Sequence, residues 1–207
     1  MWGGERRSVS ISTGKERLMS EENRKAIRIS VRNLVEFVLR SGDIDNRRSG
    51  NAQKDAMLAG GRIHRKIQKR MGSGYRAEVP LKHEVQDEEQ EITLLVEGRA
   101  DGIFTENGIP VIDEIKGMYT DISRLEEPIE VHLAQAMCYG YFYCCDKDLD
   151  GIRLQMTYCN LETEEIKRFQ TDRSREELET WFSSVVHEYF KWARYLYHHE
   201  LTRDASI

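Results

Sequence analysis

A short stretch with a strong hairpin signal places acidic residues where strands usually carry apolar ones. Residues 96–117 read VEGRADGIFTENGIPVIDEIKG, and Asn107-Gly108 is the dipeptide most typical of a two-residue type I′ turn. With that turn, paired residue numbers across the hairpin sum to 215, so Asp101 is predicted to lie opposite Glu114. Like charges directly across a strand pair are destabilising. A departure of this kind from local rules is expected at functional sites.

The predicted pair of carboxylates has a lysine beside it. Lys116 lies two residues after Glu114 and therefore on the same face of the strand. Cβ atoms of opposed residues lie roughly 4.5–5.5 Å apart, a separation that suits Mg²⁺ or Mn²⁺ with water and phosphate completing the coordination. The lysine could then orient a metal-bound water or stabilise negative charge on phosphorus. The alternative is a surface cluster of salt bridges on an edge hairpin.

Hydrophobic periodicity divides the chain into helices and strands. Helices are predicted after a cap at Ser30, over residues 52–70 and 129–144, and after a capping box at Ser174–Glu177. Strands are predicted over residues 75–85, 91–104, 109–117, 151–160 and 164–170. This order of elements predicts an α/β (α+β) fold, in which helices flank a core made of a mixed β-sheet.

Length and composition bound the class of protein. The chain has 207 residues, and we expect residues 1–22 to be a mobile leader and residues 23–207 to form one domain. No apolar run approaches the roughly 18 residues of a membrane span, and no secretion signal is recognisable, so a cytoplasmic protein without a membrane partner is expected. The four cysteines, at positions 138, 144, 145 and 159, are expected to be reduced.

The formal net charge of -5 conceals an uneven distribution. Residues 1–70 contain 17 Lys/Arg against 8 Asp/Glu, whereas the remainder contains 14 against 28. The basic N-terminal third could contact the phosphates of a nucleic acid, and the acidic remainder could include a metal centre. Ordinary solvated surfaces explain the same distribution equally well.

Four motifs, in the same order along the chain, resemble the PD-(D/E)XK nuclease superfamily. Asp101 followed after twelve residues by Glu114-Ile115-Lys116 is similar to the signature of that superfamily. The preceding EGRADG resembles its RecB-like exonuclease branch. GGRIHRKI, which contains His64, resembles the helical Gly-x-x-His element of that branch, and QAMCY matches its Gln-x-x-x-Tyr motif. The resemblance spans about residues 28–170.

The resemblance implies a restriction-endonuclease-like fold and a role for each motif residue. The implied ligands of Mg²⁺ or Mn²⁺ are two carboxylates, a main-chain carbonyl and an imidazole: Asp101, Glu114, Ile115 and His64. Lys116 would be the catalytic lysine. Gln135 and Tyr139 are four residues apart and hence on one face of a helix, where they would hold Lys116 or contact the DNA backbone.

The resemblance also implies a function, and alternatives stay open. We expect a divalent-metal-dependent deoxyribonuclease, an exonuclease that hydrolyses single- or double-stranded DNA ends in repair, recombination or defence. Similar domains occur with helicases of the DinG type, which makes a helicase a candidate partner. Several RecB-like relatives hold an iron–sulfur cluster with one cysteine before the nuclease core, and no such cysteine precedes position 138 here, so no cluster is expected. The alternatives are a catalytically idle nucleic-acid-binding or scaffolding domain and a site-specific endonuclease.

Overall fold

The computed structural model describes residues 25–39, 50–87, 89 and 92–204, so the predicted leader lies outside the described residues. The helices are α1 (Val31–Leu39), α2 (Gly50–Arg70), α3 (Glu130–Lys147) and α4 (Arg175–Asp204), with a short 3-10 turn at Ile122–Arg124. The strands are β1 (Lys25–Ser30), β2 (Arg76–Gln86), β3 (Ile92–Glu106), β4 (Ile109–Met118), β5 (Gly151–Asn160) and β6 (Ile166–Ser174).

The described strands form one mixed sheet in the order β1-β3-β4-β5-β6, with β2 paired to β3 as well. The β1–β3 and β4–β5 pairs are parallel, and the other pairs are antiparallel. Helices pack against this sheet, which confirms the predicted α/β class with a mixed sheet at its core. None of the helices among the described residues has both the length and the apolar character that a membrane span requires.

One edge of β3 is shared by two strands, which leaves an opening in the sheet. β2 pairs with β3 along Thr93–Ile103, so β1 and β4 must both use the opposite edge. On that edge β1 pairs with Ile92–Glu97 and β4 with Gly102–Glu106. Within the described part of the chain, the residues between these two segments have no strand partner on this edge. We call this opening, between residues 98–101 of β3 and residues 114–118 of β4, the fork.

Within the described residues, two apolar clusters hold the helices against the sheet. The larger cluster joins α1, α3 and α4 to the sheet, and the smaller one joins α2 to the end of β4 through Ile63, Ile67, Ile115, Cys159 and Leu161. Burying an aliphatic side chain of this size contributes about 1.5–3 kcal/mol. Because side chains alternate between the faces of a strand, Ile115 lies towards α2, whereas its two neighbours along β4 lie towards α3.

Both predicted helix caps are present. The main-chain N–H of Asn33 donates to Ser30 Oγ at 3.1 Å at the start of α1. At the start of α4, Glu177 N donates to Ser174 Oγ at 3.1 Å and Ser174 N donates to Glu177 Oε2 at 2.8 Å. This reciprocal pair is a capping box, which satisfies two N–H groups that a helix start leaves without partners.

The cysteines of the described residues lie in and beside the core. Cys138 and Cys144 are buried in the larger cluster and Cys159 in the smaller one, whereas Cys145 is partly exposed. All four are free thiols, and burial raises the pKa of the Cys144 thiol to about 11. Cys138 and Cys159 thus act as small residues that fill core space.

Candidate active site

The β3–β4 hairpin follows the predicted register up to the edge of the fork. The two turn residues have φ angles of 52° and 80°, the positive values that a type I′ turn requires. The pairs then run in the predicted register as far as Gly102 opposite Asp113. The ladder ends there, one pair short of Asp101 and Glu114. These two carboxylates therefore lie at the fork without forming the predicted strand pair.

At the fork, the side chain of Asp101 accepts a main-chain hydrogen bond that a strand partner would accept in a continuous ladder. Its Oδ2 accepts a hydrogen bond from the main-chain N–H of Ile115 at 2.7 Å. Ala100 and Ile103 both belong to the larger core cluster, although residues three apart in a regular strand face opposite sides. The alternation is thus interrupted at Asp101, where β2 and β3 each leave one residue out of their ladder, and Asp101 Oδ1 lies 3.4 Å from Nδ1 of His64.

Glu114 and Lys116 lie on the α3 side of the fork. Lys116 Nζ donates to Glu114 Oε1 at 2.7 Å and to Gln135 Oε1 at 2.8 Å. Glu114 is only 4 % exposed, and its Oε2 has no hydrogen-bond partner among the described residues. A buried carboxylate oxygen without a partner is costly. A bound cation is one group that would satisfy it.

The carboxylates and the imidazole at the fork influence one another's protonation. Burial is the largest influence on Glu114 and raises its pKa to about 7; the ammonium of Lys116 opposes this rise and the charge of Asp101 adds to it. For His64, burial lowers the pKa, but the hydrogen bond and charge of Asp101, with the charge of Glu114, outweigh burial and leave the pKa raised. Both groups are therefore shifted towards holding a proton, Glu114 mainly by burial and His64 by the neighbouring carboxylates.

The helical motif residues contact the fork in different ways. Gln135 holds Lys116, which is one of the two roles that the motif resemblance implies. Tyr139 instead lies against the edge of β3, where a Cβ atom added to Gly98 would come within 2.5 Å of the tyrosine hydroxyl. A glycine is needed at that position so that the ring can approach the strand. Contact of Tyr139 with DNA stays a prediction, as does a ligand role for the carbonyl of Ile115.

Two further residues join the site from α2 and β2. Ligand atoms of His64, Glu78 and Asp101 all lie within 4.8 Å of one another. Gln68, one helical turn after His64, donates from Nε2 to Glu78 Oε1 at 3.2 Å and to the main-chain oxygen of Asp101 at 3.0 Å. The motifs mark neither Gln68 nor Glu78. Gln68 could have been predicted from its spacing, because it lies four residues after His64 and therefore on the same helix face.

Asp113 lies beside the site but on the α2 side of the sheet. It is fully buried; its Oδ2 accepts a hydrogen bond from the Tyr75 hydroxyl at 2.9 Å and its Oδ1 from Thr157 Oγ1 at 2.6 Å. A Cβ at Gly102 would meet the Tyr75 ring at 1.8 Å, so the glycine makes room for this hydrogen bond. These contacts fix the segment of β4 that leads into Glu114.

The solvent side of α2 carries a row of cations. Arg62, Arg65 and Lys69 are exposed and spaced three and four residues apart, hence on one helix face; we call them the cationic stripe. Lys66, also on α2, forms an ion pair with Glu164 instead. Thus part of the basic charge predicted to contact phosphates lies on the helix that also brings His64 to the fork.

No protein-family model matches the chain, and no curated protein matches it. Among solved structures, the chain is similar to the protein SSO0001, with a TM-score of 0.50 and 18% sequence identity over 84% of this chain and 81% of SSO0001. Likeness at this identity shows the fold alone. The fold and the site together define a mixed-sheet α/β protein with carboxylates, a lysine and a histidine gathered at a break in the sheet.

Two more distant likenesses are to one enzyme, the alkaline exonuclease LHK-Exo from Laribacter hongkongensis. Its structure aligns with a TM-score of 0.45 and 10% identity over 84% of this chain and 94% of the enzyme. Its complex with dAMP aligns with a TM-score of 0.43 and 14% identity over 87% of this chain and 95% of the enzyme. Scores at this level are too low to bear on substrate or reaction.

Proposed function

We propose that this chain is a divalent-metal-dependent deoxyribonuclease of the PD-(D/E)XK superfamily. The observation that carries the proposal is Glu114, a buried carboxylate with one oxygen held by Lys116 and the other without a partner among the described residues. Asp101 and His64 lie on the other side of the same fork. Carboxylates that can bind a cation, next to a fixed ammonium, are the groups that hydrolysis of a phosphodiester uses. The motif resemblance supports the same reaction.

The residues at the fork fit Mg²⁺ or Mn²⁺. Hard divalent cations prefer carboxylate, carbonyl and water oxygens, and Mn²⁺ also accepts an imidazole nitrogen. Glu114 Oε2 and Asp101 Oδ1 are oxygens of this kind, and the other oxygen of each carboxylate is already engaged. His64 and the carbonyl of Ile115 are the further implied ligands. When bound, the ion would polarise the scissile phosphate and lower the pKa of a coordinated water.

The ammonium of Lys116 would interact directly with the reacting phosphate or the attacking water. An ammonium has three hydrogens to donate, and Glu114 and Gln135 accept two of them. The third would be free to donate to the attacking water or to a phosphate oxygen, and the positive charge would stabilise the negative charge that develops there. Water would add to phosphorus as the bond to the leaving sugar oxygen breaks. Gln135 would act as a positioning residue, because it fixes the lysine.

The cationic stripe supports DNA as the substrate, since exposed Lys and Arg on one helix face can displace counterions from phosphates. An exonuclease of the RecB-like branch is the finer part of this proposal, and it rests on the motif resemblance. So do a helicase partner and a role in DNA repair, recombination or defence. A site-specific endonuclease shares the same core chemistry but would not require a DNA end.

The test is digestion of end-labelled linear single- and double-stranded DNA with Mn²⁺, beside covalently closed circular DNA. We expect linear DNA to be degraded and circles to be spared. Lys116→Ala should lose cleavage by at least a hundredfold, in line with removal of a group that stabilises transition-state charge. Its melting temperature should fall, because the buried Glu114 loses its ion pair, and circular dichroism should show that the variant is still folded at the assay temperature. Lys191→Ala on α4 is the matched control and should cut normally.

Each contrary result points to a different conclusion. Cleavage of circles would favour the site-specific endonuclease. A parent protein that binds DNA and never cuts it would favour the catalytically idle domain. Full activity in Lys116→Ala would refute the assigned chemistry.

A further inference from the structure

Glu78 has a backbone conformation that its place in a strand does not require. Its φ is 53°, in the left-handed region that residues other than glycine rarely adopt. β2 pairs with β3 on either side of Glu78, yet Glu78 itself is left out of the ladder, at the level of Asp101. Both edges of β3 are therefore interrupted at the same level, one by the fork and the other by Glu78.

The side chain of Glu78 lies towards the fork residues. One of its ligand atoms is within 4.8 Å of those of His64 and Asp101. Gln68 fixes it, because Gln68 Nε2 contacts both Glu78 Oε1 and the main-chain oxygen of Asp101. Only Oε1 of the Glu78 carboxylate takes part in that contact, so Oε2 has capacity for another partner.

Two carboxylates at the fork are not paired with a lysine or an arginine of the described residues, and Asp101 has only the imidazole of His64 beside it. Glu114 is ion-paired with Lys116. Among the described residues, neither Asp101 nor Glu78 has an ion pair with a lysine or arginine. A divalent cation would balance these two negative charges. The buried, unpartnered Oε2 of Glu114 points independently to a ligand at the fork, where the Glu114 carboxylate interacts electrostatically with Asp101 and His64.

We propose that Glu78 is a further ligand of the divalent cation at the fork. This inference rests on the proposed metal-dependent function and adds a residue that the motifs do not supply. The cation would then be held by side chains from four consecutive elements, α2, β2, β3 and β4: His64, Glu78, Asp101 and Glu114. The left-handed backbone at Glu78 is explained as the conformation that turns a carboxylate out of the ladder and towards the cation.

Binding of Mn²⁺ to the protein without substrate tests the inference. The melting temperature is followed as Mn²⁺ is titrated, and Kd is obtained from its dependence on concentration. Glu78→Gln keeps the acceptor for Gln68 but removes the charge, and it should raise Kd about tenfold or more. The matched control is Glu84→Gln, an exposed glutamate on the same strand whose partner Leu95 is six residues, roughly 20 Å, from Asp101. The control should bind Mn²⁺ like the parent.

A second variant separates metal binding from folding. Glu78→Gly suits the positive φ, because glycine adopts it without steric cost, so its metal-free melting temperature should equal or exceed that of the parent. It should still lose Mn²⁺ affinity as Glu78→Gln does. A parent protein that ignores Mn²⁺ would overturn the metal site, and this inference with it. A responsive parent whose affinity is unchanged in both Glu78 variants, or an equal loss in Glu84→Gln, would overturn the role of Glu78 alone.

Discussion

Replacing Glu114 by glutamine should stabilise the metal-free protein above neutral pH. Burial raises the pKa of Glu114 from its ordinary 4.5 to about 7, so the folded protein holds this proton more tightly than the unfolded chain does. The contribution to stability is therefore complete below about pH 4.5 and is lost as the pH rises through about 7. Glutamine carries no charge, so its contribution does not depend on pH.

The size of the effect follows from the two pKa values. At about 1.36 kcal/mol for each pKa unit, the metal-free parent loses on the order of 3 kcal/mol between acid and alkaline pH through this one group. Glutamine still offers an oxygen to Lys116, but the ion pair is lost, which offsets part of the gain. A net stabilisation of about 2 kcal/mol at pH 8 is expected, equivalent to about 4–8 °C in melting temperature for a chain of this length.

Urea unfolding of the parent and of Glu114→Gln, with chelator present at pH 5 and pH 8, measures this difference. The variant should gain on the parent by about 2–3 kcal/mol between the two pH values. Glu84→Gln, which changes an exposed glutamate, should follow the parent at both. If the stability of the parent and of Glu114→Gln changed with pH in the same way, the raised pKa of Glu114 would be refuted. A Glu114→Gln variant less stable than the parent at pH 8 would refute it as well.

Two further predictions concern DNA binding and the support of the site. In a Lys116→Ala background, reversing the three charges of the cationic stripe should reduce the steepness with which the DNA-binding constant falls with salt. The slope of its logarithm against the logarithm of salt concentration should decrease by about 2–3, because each phosphate contact contributes about 0.7–0.9. Filter binding at several salt concentrations measures this slope, and an unchanged slope would mean that DNA binds elsewhere on the protein. Tyr75→Phe should cost about 1–3 kcal/mol in urea unfolding, because it removes a hydrogen bond to the fully buried Asp113. A loss below about 0.5 kcal/mol would mean that this hydrogen bond contributes little.

The parts of the fold near strong local signals could be predicted from the sequence. The turn dipeptide sets the register of the β3–β4 hairpin, since a type I′ turn fixes which residues face each other. Ser30 and Ser174 mark helix starts because their side chains can accept from the first free N–H groups. β1 could not be predicted in this way. Its six residues pair in parallel with a strand more than sixty residues further along, and such pairing leaves no local trace in the sequence.

The candidate site was predictable only in part for a similar reason. The register set by the turn predicts Asp101 opposite Glu114. The interruption at Asp101 instead turns its carboxylate to the N–H of Ile115 and to His64. Glu78 was beyond prediction, because the sequence between β2 and β3 contains no turn dipeptide that would set their register. Glu114 is buried because α3 packs beside this part of β4, and no sequence pattern gives the distance between these two elements.

The fork also suggests how relatives without the proposed activity could be recognised. A β-sheet is most stable when its ladders are complete, and here both edges of β3 are broken at the level of Asp101. A descendant without need for the site would gain stability by closing these breaks. We expect it to replace Glu78 with a residue that suits an extended strand, and Asp101 with an apolar one, while the glycines that admit Tyr75 and Tyr139 are retained. Complete ladders on both edges of β3 would then identify an inactive relative better than the loss of any single acidic residue.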